Sequence, residues 1–109
     1  MLNEEKSASG GKIAIASIDG KEDGDISPQA GRAPFYLIYE DGNLVETIKN
    51  PFAVGGGGAG FGVAKMAADK GVEKIIAGRF GPNMVMGLEE RGVKYQEAQG
   101  KVADVVGKD

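Results

Sequence analysis

The sequence is organised around GGGGAGFG, residues 55–62, and the segment VAKMAADKG, residues 63–71, that follows it. The first stretch is mostly glycine, whereas the second has the composition of a helix that ends at a glycine. A bare backbone loop that leads into a helix N-terminus presents unpaired N–H groups and the positive end of the helix dipole, so it can hold an anion. The same composition also suits a flexible connector between two elements. From this stretch alone, both interpretations stay open.

Upstream of the glycine run, three short segments are predicted to be strands. Residues 12–18 (KIAIASI) are apolar on both faces, which is typical of a central strand covered on both sides. Residues 35–40 (FYLIYE) and 44–49 (LVETIK) flank Asp41-Gly42-Asn43, a hairpin turn sequence, so they are predicted to pair antiparallel. Asn50-Pro51 then ends the second arm of the hairpin.

Downstream, helices alternate with short strands. A helix is predicted from about residue 59 to 70, with an inner face of Phe61, Ala64, Ala67 and Ala68. A buried strand at residues 72–77 and a glycine-bearing loop lead into a second helix, residues 83–91, with Met84, Val85 and Leu88 inward. A last strand at residues 93–97 and a helix opened by Gly100 complete the chain, with one helix face formed by Val102, Val105 and Val106.

This order of elements predicts an α/β domain with a mixed sheet. The first strand and the hairpin are followed by an α-β-α-β-α run. Ligands of open sheets bind where the loops at the strand ends meet, so residues 19–33, 51–58 and 78–82 are predicted to surround the site.

Composition narrows the class of protein. The chain has 109 residues, a net charge of −3 and a pI near 5.0, which argues against a nucleic-acid partner. No apolar run approaches the roughly 18 residues of a membrane span, so no membrane partner is expected. The protein is expected to be cytoplasmic. Residues 1–11 are polar and predicted to be a disordered lead, and residues 12–109 a single domain.

Two absences exclude whole classes of chemistry. The sequence contains neither cysteine nor histidine. Zinc sites, thiolate-held iron–sulfur clusters, Cys or Ser–His nucleophilic pairs and histidine acid–base catalysis therefore lose their usual side chains. An activity that depends on these groups is therefore not expected.

Two familiar motifs match only superficially. Gly55, Gly57 and Gly60 have the spacing of a dinucleotide fingerprint, but the preceding strand belongs to a hairpin and no acidic residue ends the next strand. A two-metal nuclease would need several acidic side chains, and several acids do lie at strand ends and turns. Their roles as turn residues and as solvent-exposed charges are enough to explain why they occur there. These acids are Asp19, Asp23, Asp25, Glu40 and Asp41.

Two of the three arginines lie in glycine-bearing loops at predicted strand ends. Arg32 and Arg79 are expected near the start of the helix that follows the glycine run, whereas Arg91 lies at a helix C-terminus. Guanidinium groups are well suited to oxyanions, so this placement favours an anion pocket over two solvated charges.

Four segments, taken together, resemble one family. They are residues 27–36 (SPQAGRAPFY), Asn50-Pro51, Gly58-Ala59-Gly60, and ADKGV (68–72) followed by GRFGPN (78–83). The sequence resembles the nitrogenase-accessory family of dinitrogenase iron–molybdenum cofactor-binding domains, which includes stand-alone domains and the molybdenum–copper orange protein. The resemblance implies a ribonuclease-H-like fold and a non-enzymatic carrier of metal–sulfur clusters. With the element order, it predicts a five-stranded sheet of order 3-2-1-4-5 in which strand two is antiparallel.

The resemblance also implies a binding site, at which this chain has different residues from those usual in the family. Where the family usually has His-Phe, this chain has Gln29-Ala30, and where it often has His before Gly-Ala-Gly, this chain has Gly57. An iron–molybdenum or molybdenum–copper cluster would therefore be held non-covalently as an anion, in exchange with metallocofactor assembly proteins. The alternative is an interaction or regulatory module that has lost cluster binding. The candidate binding residues are Gln29, Gly31, Arg32, Gly55, Gly56, Gly57, Gly58, Gly60, Arg79 and Asn83.

Overall fold

The computed structural model of the chain describes residues 11–54 and 58–106. In chain order the elements are β1 (Lys12–Ser17), β2 (Phe35–Glu40), β3 (Asn43–Lys49), α1 (Ala59–Asp69), β4 (Val72–Ala77), α2 (Pro82–Glu90), β5 (Lys94–Glu97) and α3 (Val102–Val106). The lead predicted for residues 1–11 lies outside the described residues except for Gly11, and so do Gly55, Gly56 and Gly57.

The five strands form one mixed sheet of order β3-β2-β1-β4-β5, as predicted. β2 is antiparallel to both β1 and β3, whereas β1 and β4, and β4 and β5, pair in parallel. The hairpin between β2 and β3 turns at Asp41 (φ 54°) and Gly42 (φ 81°). Two consecutive positive φ angles define the turn that matches the twist of paired strands, which is why Asp-Gly is favoured there.

Side chains alternate across the sheet and form two apolar layers. On one face, Tyr36, Ile38 and Ile75 pack in a cluster with the buried residues of α1 and α2. On the other face, Ile15 and Leu37 pack with Ile76, Tyr39, Ile26 and Val102 of α3. β1 therefore lies between two covered faces, which explains its continuous apolar sequence.

The buried face of α1 differs from the predicted one. Phe61 was predicted to point inward but is 40% exposed. The buried positions are Ala59, Val63, Ala64 and Ala67. The stripe is displaced because α1 packs against α2 through glycine, and a Cβ on Gly87 would lie 3.3 Å from the Phe61 ring. Phe61 thus covers the outer side of the helix–helix contact. In α2, Met84 and Leu88 are buried as predicted, while Val85 is only partly buried.

One edge of the sheet collects the loops. Ser17 pairs with Phe35, Phe35 with Lys49, and Ala77 with Glu97, so the ends of β1, β3, β4 and β5 lie beside the start of β2. The segments that leave these positions meet at this edge, which is where a ligand site was predicted. Within the described part of the chain, no helix combines the length and apolarity needed to cross a bilayer.

Candidate functional site

A cleft of about 400 Å³ opens at this edge, on the side of the sheet that carries α1 and α2. It lies between the loop that precedes β2 and the first turns of the two helices. We call it the main cleft. Its lining comprises Gln29, Ala30, Gly31, Arg32, Gly58, Ala59, Gly60, Arg79, Gly81, Pro82, Asn83 and Met84. The three predicted loops therefore do converge on a single concave surface.

The floor of the main cleft is a segment that fills the gap where β1 and β4 diverge. The N–H of Ser27 donates to the carbonyl of Ala16 in β1, and the Ser27 carbonyl accepts from the N–H of Gly78 after β4, both at 2.9 Å. Farther along, the Ala30 N–H donates to the Arg79 carbonyl at 3.0 Å. These bonds tie the loop bearing Arg32 to the loop bearing Arg79.

The wall of the main cleft depends on backbones that touch. A Cβ on Gly31 would lie 3.4 Å from the nitrogen of Gly60, and a Cβ on Gly60 would lie 2.8 Å from the nitrogen of Met84. Similarly, a Cβ on Gly78 would lie 2.7 Å from the Cα of Pro28. Gly60 and Gly78 are required by close packing, since real Cβ atoms do not approach backbone atoms so closely, whereas a Cβ on Gly31 would make an ordinary van der Waals contact. They bring the loop and both helix starts together.

Asn50, whose side chain was not predicted to have a role, clamps the arginine loop. It is buried, and its Nδ2 donates to the carbonyls of Gly31 (3.1 Å) and Ala33 (2.8 Å), on either side of Arg32. Its Oδ1 accepts from the N–H of Phe52 at 2.9 Å. Asn50 therefore links the loop that bears Arg32 to the segment that leads to the glycine run. The sequence shows only Asn-Pro at the end of a strand.

Tyr36 supports the same loop from below. Its hydroxyl donates to the carbonyl of Ala30 and is buried under the main cleft. Burial raises the pKa of the Tyr36 hydroxyl above its ordinary value of 10.0, because the phenolate would be desolvated. The hydroxyl thus remains a proton donor throughout the physiological pH range. Asn50 and Tyr36 together hold this loop through its carbonyls, which leaves side chains such as Gln29 exposed.

Two helix N-termini face the main cleft, and neither has a side-chain cap. The N-cap of α1 is Gly58, with φ 87°, and the N-cap of α2 is Gly81, which is followed by Pro82. The first turns of both helices contain no acidic residue. Backbone N–H groups at such helix starts have no partner within the helix, and the two dipoles add a partial positive charge. A left-handed conformation at Gly58 explains why glycine is needed there.

The described residues that line the main cleft carry a net positive charge, although the protein as a whole is acidic. Arg32 is half-buried and Arg79 is exposed. None of the described residues that line the cleft carries an acidic side chain. Asp25, on the neighbouring loop, is paired with Lys101 at 3.0 Å, so its charge is balanced locally. The cleft therefore offers guanidinium and backbone N–H donors to a negatively charged ligand.

The structure brings seven of the predicted residues around the main cleft: Gln29, Gly31, Arg32, Gly58, Gly60, Arg79 and Asn83. Gly55, Gly56 and Gly57 lie outside the described residues. That any of the ten binds a ligand stays a prediction. Arg91 is the C-cap of α2 and contacts Glu90 at 3.9 Å, in agreement with a role at the helix end.

The described acidic side chains do not support the alternative of a metal-dependent nuclease. Within residues 11–54 and 58–106, no group of three or more acidic side chains is arranged to hold a metal ion. Asp19 accepts from the backbone of Lys21, and Asp41 occupies the hairpin turn. Turn and surface positions thus account for these carboxylates, as the sequence indicated. The arrangement in the main cleft suits recognition of an anion.

Comparisons with known proteins cover nearly the whole chain. The family model for dinitrogenase iron–molybdenum cofactor matches residues 11–108. The apo form of the orange protein from Desulfovibrio gigas is 26% identical, covers 87% of this chain and 82% of its own, and superposes with a TM-score of 0.80. A putative NifB protein from Thermotoga, assigned to the DUF35 family, is 32% identical over 86% and 82% of the two chains, with a TM-score of 0.72. The comparison with curated proteins finds no significant match.

Proposed function

The chain belongs to the dinitrogenase iron–molybdenum cofactor family, and on that premise we propose that its main cleft carries an anionic metal–sulfur cluster or metal oxyanion as cargo. The family is one of cofactor-binding and accessory domains. A cargo of this kind is held by its charge and shape. The observation that carries the proposal is the convergence of Arg32, Arg79 and two uncapped helix starts on one cleft, whose described lining residues include no acidic side chain.

The donor set suits a cluster whose metals already have all their ligands. The sequence has no cysteine or histidine, so neither a thiolate nor an imidazole side chain is available to replace a sulfide or thiolate on the metal. Backbone N–H groups and guanidinium forks donate hydrogen bonds to sulfide or oxide atoms at the outside of such a cluster. The protein would therefore bind a preassembled anion and would not capture free metal cations.

The proposed cargo indicates what kind of partner protein this chain would have. A domain that holds a cluster without covalent bonds can receive it from one protein and release it to another. The name of the Thermotoga neighbour, a putative NifB protein, supports placing this chain among metallocofactor assembly proteins. The exposed side of the main cleft, with Arg79 and Asn83, would be the entry and exit route.

Titration with tetrathiomolybdate tests the proposal. The full chain, labelled with ¹⁵N, should show saturable amide shifts at Gly58, Gly60 and Asn83 and in the glycine run at residues 55–57. Arg32→Gln should weaken binding by about tenfold, since a charge-assisted hydrogen bond is worth about 1.5 kcal/mol or more. Arg91→Gln, which makes the same change of charge outside the cleft, should leave the affinity unchanged.

Three outcomes would contradict the proposal. They are no amide shifts at millimolar tetrathiomolybdate, shifts spread evenly over the surface, and equal effects of Arg32→Gln and Arg91→Gln. Any of these would favour the alternative of an interaction module without a ligand. In that case, alanine at Gly57 would leave partner binding intact, whereas the same change should impair an anion site.

A further inference from the structure

A second cleft lies on the opposite side of the Arg79 loop. Its volume is about 260 Å³, and its lining comprises Ile26, Pro28, Gln29, Gly78, Arg79, Ala98 and Gln99. Ile26 and Ala98 belong to the apolar layer that includes Val102 of α3. This second cleft therefore opens toward the α3 face of the sheet edge, while the main cleft opens toward α1 and α2.

A short, well-anchored segment separates the two clefts. Gln29 and Arg79 line both of them. Two hydrogen bonds join the backbone around Gln29 to the backbone around Arg79. The Gly78 N–H donates to the Ser27 carbonyl, and the Ala30 N–H donates to the Arg79 carbonyl. The side chains of Gln29 and Arg79 are both exposed. The two clefts thus share one guanidinium over a rigid divider.

The lining of the second cleft defines the chemistry of its ligand. Ile26, Pro28 and Ala98 provide an apolar floor, and the amides of Gln29 and Gln99 provide neutral donors beside Arg79. Asp25, the acid next to Ile26 in the chain, is paired with Lys101 and does not cancel the charge of Arg79. A guanidinium fork with amide donors matches a single carboxylate, and the apolar floor matches a short aliphatic stem.

We propose that the second cleft binds a carboxylate on a short aliphatic stem, in competition with cargo in the main cleft for Arg79. The competition rests on the proposed function, whereas the carboxylate site stands on its own lining. Because Arg79 cannot serve both ligands fully, each weakens the other, and thermodynamic linkage makes the two effects equal. A carboxylate at this site would therefore promote release of the cargo.

Titrations of the ¹⁵N-labelled full chain test the carboxylate site. Butyrate should shift the amides of Gly78, Ala98 and Gln99 with a dissociation constant on the order of 1–10 mM. Butyramide, which has the same shape but no charge, should not. Arg79→Gln should abolish the shifts and Gln99→Ala should weaken them severalfold, whereas Arg32→Gln, which alters only the main cleft, should preserve them. A blocked glutamate, N-acetylglutamate N-methylamide, distinguishes an acidic side chain from a free acid as the natural ligand, because the tighter binder identifies the source.

A second titration tests the competition. Saturating tetrathiomolybdate should weaken butyrate binding by on the order of fivefold, and butyrate should weaken tetrathiomolybdate binding by the same factor. Absent butyrate shifts at 50 mM, equal shifts with butyramide, or shifts that survive Arg79→Gln would overturn the carboxylate site. Independent binding of the two ligands would overturn the competition. If tetrathiomolybdate fails to bind while butyrate shifts Gln99, the proposed cargo is wrong and the carboxylate site stands.

Discussion

Gly60 and Gly81 both line the main cleft at the start of a helix, yet their surroundings are opposite. A Cβ on Gly60 would lie 2.8 Å from the Met84 nitrogen, whereas a Cβ on Gly81 would meet nothing within 4 Å. Gly60 belongs to the wall, which we define as the contacts of Gly31 with Gly60 and of Gly60 with Met84, together with the residues that support them. Gly81 belongs to the rim, the exposed positions that include Gly58, Gly81 and Arg79.

This difference separates two reasons for glycine in one site. In the wall, glycine allows backbones to touch, so its absence should change the free energy of unfolding. At the rim position Gly81, where φ is −78°, glycine leaves N–H groups uncovered, so its replacement should change binding more than stability. The glycine content of the sequence is therefore not a measure of how much backbone meets the ligand.

The largest loss of stability is expected for Asn50→Ala, at the support of the wall. The substitution leaves the carbonyls of Gly31 and Ala33 and the N–H of Phe52 without their side-chain partner. Each buried polar group left unpaired costs about 1–3 kcal/mol, and partial access of water reduces the sum, so we expect a loss of about 3 kcal/mol. Urea unfolding followed by circular dichroism measures it.

A control for Asn50→Ala separates the clamp from simple truncation. Asn43, in the exposed hairpin, makes a single long bond of 3.4 Å to Asp41. Asn43→Ala should therefore change the free energy of unfolding by less than about 0.5 kcal/mol, the usual range for surface positions. Equal effects of the two substitutions would show that Asn50 does not support the wall.

Gly60→Ala is expected to cause the next largest loss of stability, and it tests the contacts of the wall directly. Overpacking costs about 1–3 kcal/mol, while alanine in a helix gains about 0.5–1 kcal/mol over glycine, so a net loss of about 1–2 kcal/mol is expected. The same denaturation measurement checks it. Gly81→Ala, at an open position with φ −78°, should cost no more than about 0.5 kcal/mol. A stabilising Gly60→Ala would mean that α1 and α2 do not meet as closely as described.

The fold could be predicted because its signals are local. The apolar run of β1, the Asp41-Gly42 turn and the glycines after each helix specify neighbouring elements, and the handedness and adjacency of connections then limit the sheet order. The residues around the main cleft could be anticipated for the same reason, since strand ends carry the loops. The family resemblance added the sheet order, while the kind of ligand that it implies stays a prediction.

The wall could not be predicted, because it depends on contacts between distant parts of the chain. Asn50 acts on carbonyls 17 and 19 residues away, and nothing in Asn-Pro indicates those partners. The predicted inner face of α1 was wrong at Phe61 because the buried stripe consists mostly of alanines, which mark a helix face much less clearly than large apolar side chains do. A helix that packs through small residues is positioned by its partner helix, and that partner is known only from the structure.

The smallest effect on stability is expected at the rim, where binding should respond strongly. Gly81→Asp supplies the missing N-cap of α2, whose carboxylate can accept from the N–H of Asn83 or Met84. The gain over glycine is a few tenths of a kcal/mol, with a similar contribution from the helix dipole, so about 0.5 kcal/mol is expected. The same carboxylate occupies the donors and repels an anion, so tetrathiomolybdate affinity should fall by more than about tenfold. Gly81→Ser caps the helix without charge and should retain most of the binding. If Gly81→Asp binds tetrathiomolybdate as well as the unaltered protein does, the start of α2 does not face the cargo, and the rim reduces to Gly58 and Arg79.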